Sequence, residues 1–380
     1  MGFATLEDRE HPSRPPGSSG EAFDVDRLRI AQVAPLYESV PPQGYGGTER
    51  VVSYLTEELV RQGHEVTLFA SADSSTSARL VPGCKRSLRL DPGCVDQLAH
   101  HLVMVEEVYR RAAEFDLIHF HIDYLHFPIT RRQRVPNLTT LHGRLDIPDL
   151  VPLYREFRDM PVVSISNAQR RPLPWLDWRA TVYHGLPEQA FSFHARGPGP
   201  DPGGRYLAFL GRVSPEKGLD AAIEIARRTG RTLRIAAKVD RADEEYFARR
   251  IMPLLCPPQV EFLGEVGGDE KLRLLAGADA LLFPIDWPEP FGLVMIEAMA
   301  CGTPIIARNR GSVAEVMADP RAGFAYATTD EAVAAVARLP ELTRRGCRQA
   351  FEDRFTAARM VEDYLRVYRA LLVEERDAVA

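Results

Sequence analysis

Two carboxylates, Glu289 and Glu297, stand eight positions apart in DWPEPFGLVMIEAMACGTP, residues 286–304, among mostly apolar side chains. Carboxylates are seldom buried without a partner, so the pair asks for a ligand or for ion pairs. The run ALLFPI reads as a strand ending at the Pro-rich turn that holds Glu289, with a helix from about Phe291. Ligands of α/β sheets gather at such carboxyl ends. Backbone N–H groups at Gly292 and Leu293 open the helix, and its dipole attracts a phosphate. Glu297, about one and a half turns further on, can face the same mouth. Two acceptors flanking an anion site suit a ligand with hydroxyls on both sides of a diphosphate, which describes a nucleotide sugar. The competing account makes Glu289 a turn residue and pairs Glu297 with Arg308 or Arg310.

A second strand end, FLGRVSPEKG, supplies Arg212 and the exposed loop lysine Lys217, the fixed cations that a leaving diphosphate requires. PPQGYGGTER places Gly44, Gly46 and Gly47 before a helix, where a phosphate can approach the backbone. In HFHIDYLHF, His119 and His121 point to one face of a strand, with Asp123 and His126 just beyond. They form only part of a metal ligand set, so no metal site is expected. A polar rim for an acceptor molecule, carried by His121 and Asp123, and plain structural hydrogen bonding both remain open. His142 ends the strand NLTTLHG, and Ser166 and Asn167 end PVVSISN, as further candidates at strand termini.

These residues need a scaffold of strands and helices in alternation. At 380 residues the chain predicts two domains. LRIAQVAP, EVTLFAS, DLIHFH, NLTTLHG and PVVSISN are apolar runs of the kind found in covered parallel sheets. The alternation resumes with RYLAFLGR, TLRIAAKV, VEFLG, ALLFPI and TPIIAR. The reading is α/β: two Rossmann-like doubly wound domains, residues 27–190 and 205–355, joined by the Pro and Gly cluster at 191–204. Residues 1–26 form a disordered leader, and an amphipathic helix at 356–380 closes the chain. A formal net charge of −6 gives no reason to expect nucleic acid as a partner. Five scattered cysteines without a C-x-x-C pair suit a reducing compartment, and no apolar run approaches the length of a membrane span, so the expected location is cytoplasmic.

The combination of GGTER, GRVSPEKG, VEFLGEV, EPFGLVMIEAMACGTPIIA and GSVAEV resembles the retaining glycosyltransferases of family 4, from about Leu28 to the C-terminus. AAKVD, FPIDWPEPFGLVMIEAMACGTP and FHIDYLHFP are more loosely similar to the UDP-glucose:tetrahydrobiopterin glucosyltransferase branch. The resemblance implies a GT-B architecture in which the two domains face a cleft and the last helix crosses back to the N-terminal domain. It implies transfer of a hexose, glucose, from UDP-glucose to a hydroxyl of a pterin, another small molecule or a glycan, with retention and with no cofactor or metal. Glu289 would accept the sugar hydroxyls and Glu297 the ribose hydroxyls, while Arg212 and Lys217 would face the diphosphate and His142 the sugar. The donor-side set is completed by Gly46, Gly47, Gly211, Lys238, Val266, Pro290, Phe291, Gly292 and Leu293. The alternatives are a silent nucleotide-sugar-binding regulator and a sugar-nucleotide epimerase. Where many members have Asn-Gly-Val-Asp, this chain has His184, Gly185, Leu186 and Pro187, and Gly185 is expected to serve the turn.

Overall fold

Apolar segments too short for helices and rich in β-branched residues form two separate parallel sheets in the computed structural model, which describes residues 27–379 apart from 45, 192, 194–204, 256 and 257. In the first sheet the strands are β1 (Arg29–Val33), β2 (Glu65–Ser71), β3 (Arg79–Cys84), β4 (Leu117–Phe120), β5 (Asn137–Thr140), β6 (Val162–Ser164) and β7 (Trp178–Thr181). Their order is β3-β2-β1-β4-β5-β6-β7. The second sheet holds β8 (Tyr206–Arg212), β9 (Thr232–Lys238), β10 (Val260–Gly264), β11 (Ala280–Phe283), β12 (Ile305–Arg308) and β13 (Gly323–Tyr326), in the order β10-β9-β8-β11-β12-β13. Each order reverses once, between β1 and β4 and between β8 and β11. Such reversals open a crevice at the carboxyl ends of the strands.

The sequence reading identified neither β3, β7 nor β13. All three are edge strands with largely half-exposed or exposed side chains, and β3 contains Pro82 and Gly83, so the apolar signal of a doubly covered strand is missing. The expected leader, and all of the expected connection except Phe191 and Phe193, lie outside the described residues.

The helix Ala357–Val379 leaves the second domain and lies on the first. Met360, Val361, Tyr364, Leu365 and Tyr368 pack against Leu28, Ile30, Val51 and Leu55, burying the apolar face that the spacing of the sequence marks out. Two chain crossings run side by side between the domains. The Leu186 N–H donates to the Phe355 carbonyl at 2.8 Å and the Ala357 N–H to the Leu186 carbonyl at 2.8 Å. This contact corrects the expected role of Gly185. Its backbone is not among the left-handed glycines, and a Cβ there would stand 2.2 Å from the Thr356 carbonyl oxygen. Gly185 is required by the close approach of two strands of chain rather than by a turn.

Candidate functional site

Between the two crevices lies a cavity of about 590 Å³. Its floor on the second domain is made by the loops after β8 and β11, adjacent strands whose carboxyl ends lie together at the reversal of the sheet. Gly292 caps the helix Leu293–Ala300 with φ 81°, a left-handed conformation in which a side chain would also strike Met295. Ser312 fixes the loop before it, donating from its N–H to the Glu289 carbonyl and from its hydroxyl to the Phe291 carbonyl, at 2.9 Å each.

Within this frame Lys217 Nζ meets Glu289 Oε2 at 2.6 Å, and the Trp287 indole N–H donates to the same oxygen at 2.9 Å. Lys217 Nζ also lies 4.9 Å from the Trp287 ring centre, a cation–π distance. Both bonds fall on Oε2, and Glu289 Oε1 has no partner among the described residues. Lys217 is not the exposed loop lysine expected from the sequence: its side chain is only 14% exposed, because the β11 loop folds over it. Further along the helix, Glu297 Oε1 pairs with Lys271 Nζ at 2.6 Å, and both side chains are largely buried. Arg308 and Arg310, the partners considered for Glu297, turn instead to Asp286, at 2.9 and 3.6 Å. Arg212 approaches Glu216 at 3.2 Å and Asp240 at 3.6 Å, while its register neighbour Lys238 meets Asp240 at 3.1 Å. A carboxylate on each cation holds it in place on the cavity wall.

The whole donor-side set lines the cavity: Gly46, Gly47, Gly211, Lys238, Val266, Pro290, Phe291, Gly292, Leu293 and Glu297. So do Glu289, Arg212, Lys217, His142, His121 and Asp123. Gly47 meets Leu293 across the cleft, where the helix after β1 faces the helix after β11. Asp123 is the one non-glycine residue with positive φ (49°) among the described residues, and burial lifts its carboxyl to about 6. Burial pushes the His142 imidazole down to about 3, so the ring is neutral at physiological pH.

Two acceptor-side candidates stand apart from the cavity lining. Ser166 is fully buried and caps a short helix through the Gln169 N–H at 3.0 Å. Asn167 binds Glu315 of the second domain through its backbone N–H at 2.7 Å, and neither residue lines the cavity. Both follow β6, two strands away from the reversal, and Asn167 forms an interdomain clasp that Tyr183 completes with a hydroxyl bond to Glu315 at 3.1 Å. His119 and His126 are likewise structural. His119 bonds Tyr368 and Thr140, His126 bonds Thr130 and Thr139, and both rings are fully buried. Among the described residues no group of three His, Cys, Asp or Glu could hold a metal ion.

Sequence reasoning did not find Lys271, Trp287 or His184 as site residues. Lys271 and His184 line the cavity, and the His184 ring is stacked on His142 with centres 5.4 Å apart. Trp287 stood inside the opening motif, and its indole could have been read as a donor for Glu289. The Lys271 pairing joins two helices and has no local signature.

Two doubly wound domains that face a cleft, with an anion-attracting helix end and cations on one wall, have the GT-B architecture of nucleotide-sugar enzymes. Known proteins share this architecture. The family model "Glycosyl transferases group 1" matches residues 192–352, and "Glycosyltransferase Family 4" matches residues 45–208. Glycogen synthase of Mycobacterium tuberculosis is 29% identical over 363 residues, covering 82% of this chain and 85% of that protein. Phosphatidyl-myo-inositol mannosyltransferase of Mycolicibacterium smegmatis is 27% identical over 317 residues, covering 78% and 80%. The crystal structure of AviGT4, a glycosyltransferase involved in avilamycin A biosynthesis, superposes with a TM-score of 0.71 at 29% identity, covering 91% of this chain and 98% of that one. The chain belongs to the family 4 glycosyltransferases.

Proposed function

We propose that the protein is a retaining glycosyltransferase that moves glucose from UDP-glucose to a hydroxyl of a small-molecule acceptor, in the cytoplasm and without a metal. The observation that carries the reading is the Lys217–Glu289 pair at the mouth of the helix Leu293–Ala300. One member of the pair faces charge that grows on a leaving diphosphate, and the other offers a lone pair to the sugar that stays behind. Breaking the glycosyl–phosphate bond builds negative charge, and Lys217, Arg212 and the helix end stabilise it in place. With these cations in the site, a divalent ion has little left to neutralise. The departing phosphate lies on the face from which the acceptor attacks and takes the acceptor's proton, so the anomeric configuration is retained. Glu297 takes the ribose hydroxyls, and the segment around Val266 meets the base. Asp123, opposite the donor wall, orients the acceptor, while His121, whose two ring nitrogens are bonded to His142 and Gln32, acts through His142.

The relatives' names point to different products, glycogen in one and a mannosylated phosphatidyl-myo-inositol in the other, so the acceptor is the open variable. A screen of hydroxylated small molecules, reduced pterins included, with UDP-glucose in excess chelator tests the reading. The expected product is an α-glucoside, with its anomer assigned by NMR. A β-product would overturn retention, and UDP-glucose converted to another UDP-hexose would favour the epimerase alternative. Tight UDP binding without transfer or donor hydrolysis would favour the regulatory one.

A further inference from the structure

Seven side chains form a continuous buried hydrogen-bonded chain from the cavity wall to the C-terminal helix. His142 Nε2 meets His121 Nδ1 at 2.9 Å, and His121 Nε2 meets Gln32 Oε1 at 2.8 Å. Gln32 Nε2 donates to the Tyr368 hydroxyl at 3.2 Å, and that hydroxyl meets His119 Nδ1 at 2.8 Å. His119 Nε2 meets Thr140 Oγ1 at 2.7 Å, and Thr140 meets the Tyr364 hydroxyl at 2.9 Å. Gln32, His119, Thr140, Tyr364 and Tyr368 are fully buried, and His121 is 2% exposed. Gln32 is on β1, whereas Tyr364 and Tyr368 come from the helix that crosses back from the second domain.

The chain has a direction. A primary amide offers donors at one end and an acceptor at the other. With its nitrogen turned to Tyr368, Gln32 presents a carbonyl oxygen to His121, so His121 carries its proton on Nε2. His121 Nδ1 is then an acceptor, and His142 must supply the proton from its own Nε2. His142 Nδ1 is left with a bare lone pair, and it is a buried atom without a hydrogen-bond partner among the described residues. At the other end, the Tyr368 hydroxyl accepts from Gln32 and donates to His119 Nδ1, which sets His119 to donate from Nε2 to Thr140. Every link agrees with this polarity. Reversal would require the Gln32 amide to turn over and both of the other two histidines to exchange tautomers together.

We propose that His121, Gln32 and Tyr368 are positioning residues that lock His142 in the Nε2–H tautomer, so that Nδ1 accepts a hydroxyl of the transferred sugar. The inference rests on reading the cavity as a sugar-nucleotide site. It gives the terminal helix a task beyond covering the first sheet: its Tyr368 hydroxyl orients the amide that sets the tautomer of a cavity residue some 230 positions earlier in the chain.

The test uses the full chain labelled with ¹⁵N-histidine and long-range ¹H–¹⁵N correlation, with the His142 signals assigned by their loss in His142→Ala. The protein without substrate is expected to show His142 with a bare Nδ1 and a protonated Nε2. In Gln32→Leu and Tyr368→Phe the other His142 tautomer should appear. Their kcat for glucosyl transfer should fall by about 10- to 100-fold, with less than a threefold change in KM for UDP-glucose. Gln32→Glu restores an acceptor opposite His121 Nε2 and should restore the tautomer. A protonated Nδ1 in the unsubstituted protein would overturn the proposal, as would unchanged tautomers in Gln32→Leu and Tyr368→Phe. The tautomer is read without substrate, so a failure of the lock stays distinct from absence of transfer from UDP-glucose, which would count against the functional reading instead.

Discussion

Lys217 and Glu289, 72 positions apart in the chain, meet at 2.6 Å because β8 and β11 are neighbours at the reversal of the second sheet. Glu297, on the helix that follows Glu289, repeats the arrangement with Lys271 at 2.6 Å. If the two carboxylates grip one ligand from opposite ends, as proposed, while each steadies a cation, their substitutions should fail differently.

Glu289→Gln should lower turnover by weakening charge-assisted bonds to the sugar, while free UDP binds almost as before. Glu297→Gln should weaken UDP itself by about 1–3 kcal/mol, because the ribose is common to UDP and UDP-glucose. Calorimetric titration of both ligands, with melting curves on each variant, separates the two. Equal losses on both ligands from Glu289→Gln would place the sugar elsewhere.

Replacing Lys217 by Ala should reduce kcat by about 10²-fold or more, because the cation opposes charge that grows in the transition state. The lysine is enclosed by the β11 loop and its partner Glu289 keeps only the Trp287 indole, so a small fall in melting temperature should accompany the loss. Near-normal turnover would count against the diphosphate site.

UDP affinity should be the same in excess chelator as in millimolar Mg²⁺. A decrease of more than about tenfold on chelation, equivalent to ~1.4 kcal/mol, would contradict neutralisation by Arg212, Lys217 and the helix end alone.

Acid should destabilise the fold. Burial holds His142 at about 3 and pushes His119, His121, His126 and His184 well down from their ordinary value of 6.5. For such groups the unfolded chain binds more protons, so the stability they contribute is complete above pH 6.5 and is lost as pH falls toward their folded values. Asp123 acts in the opposite sense, since its carboxyl is raised from 3.8 to about 6 and favours the folded state as pH falls through that window. Burial also lowers His64 and His101 and raises the Glu49 carboxyl, so the histidines outnumber the two carboxyls that oppose them. The melting temperature should drop by several degrees between pH 7 and pH 5, and a flat or rising profile would refute the accounting.

Gly185→Ala should cost on the order of 1–3 kcal/mol, because the new methyl group meets the Thr356 carbonyl and forces the two crossings apart. Thermal unfolding reads this directly, and an unchanged midpoint would mean that the crossings separate freely.

Much of the fold was legible because its signals are local. A strand covered on both faces must be apolar throughout, so β1, β2, β4, β5, β6, β8, β9, β11 and β12 stand out as runs, and the edge strand β10 shows as the short run VEFLG. A loop at a strand end followed by a helix declares itself through Gly292 or the GGTER glycines. The site's carboxylates, cations and helix end could be named for the same reason, since each sits in its own strand-to-helix connection. The edge strands β3, β7 and β13 have more exposed side chains and lack the signal. Only the tertiary structure decided what those residues meet. Strand order joins Lys217 to Glu289 and takes Ser166 and Asn167 away from the cavity, and helix packing brings Lys271 to Glu297. The crossing helix carries Tyr368 to within 2.8 Å of His119 across 249 positions. Spacing along the chain dictates which side of an element a residue occupies. The neighbour it finds there depends on which elements pack together, a choice made by burying apolar area across the whole molecule and written in no single segment.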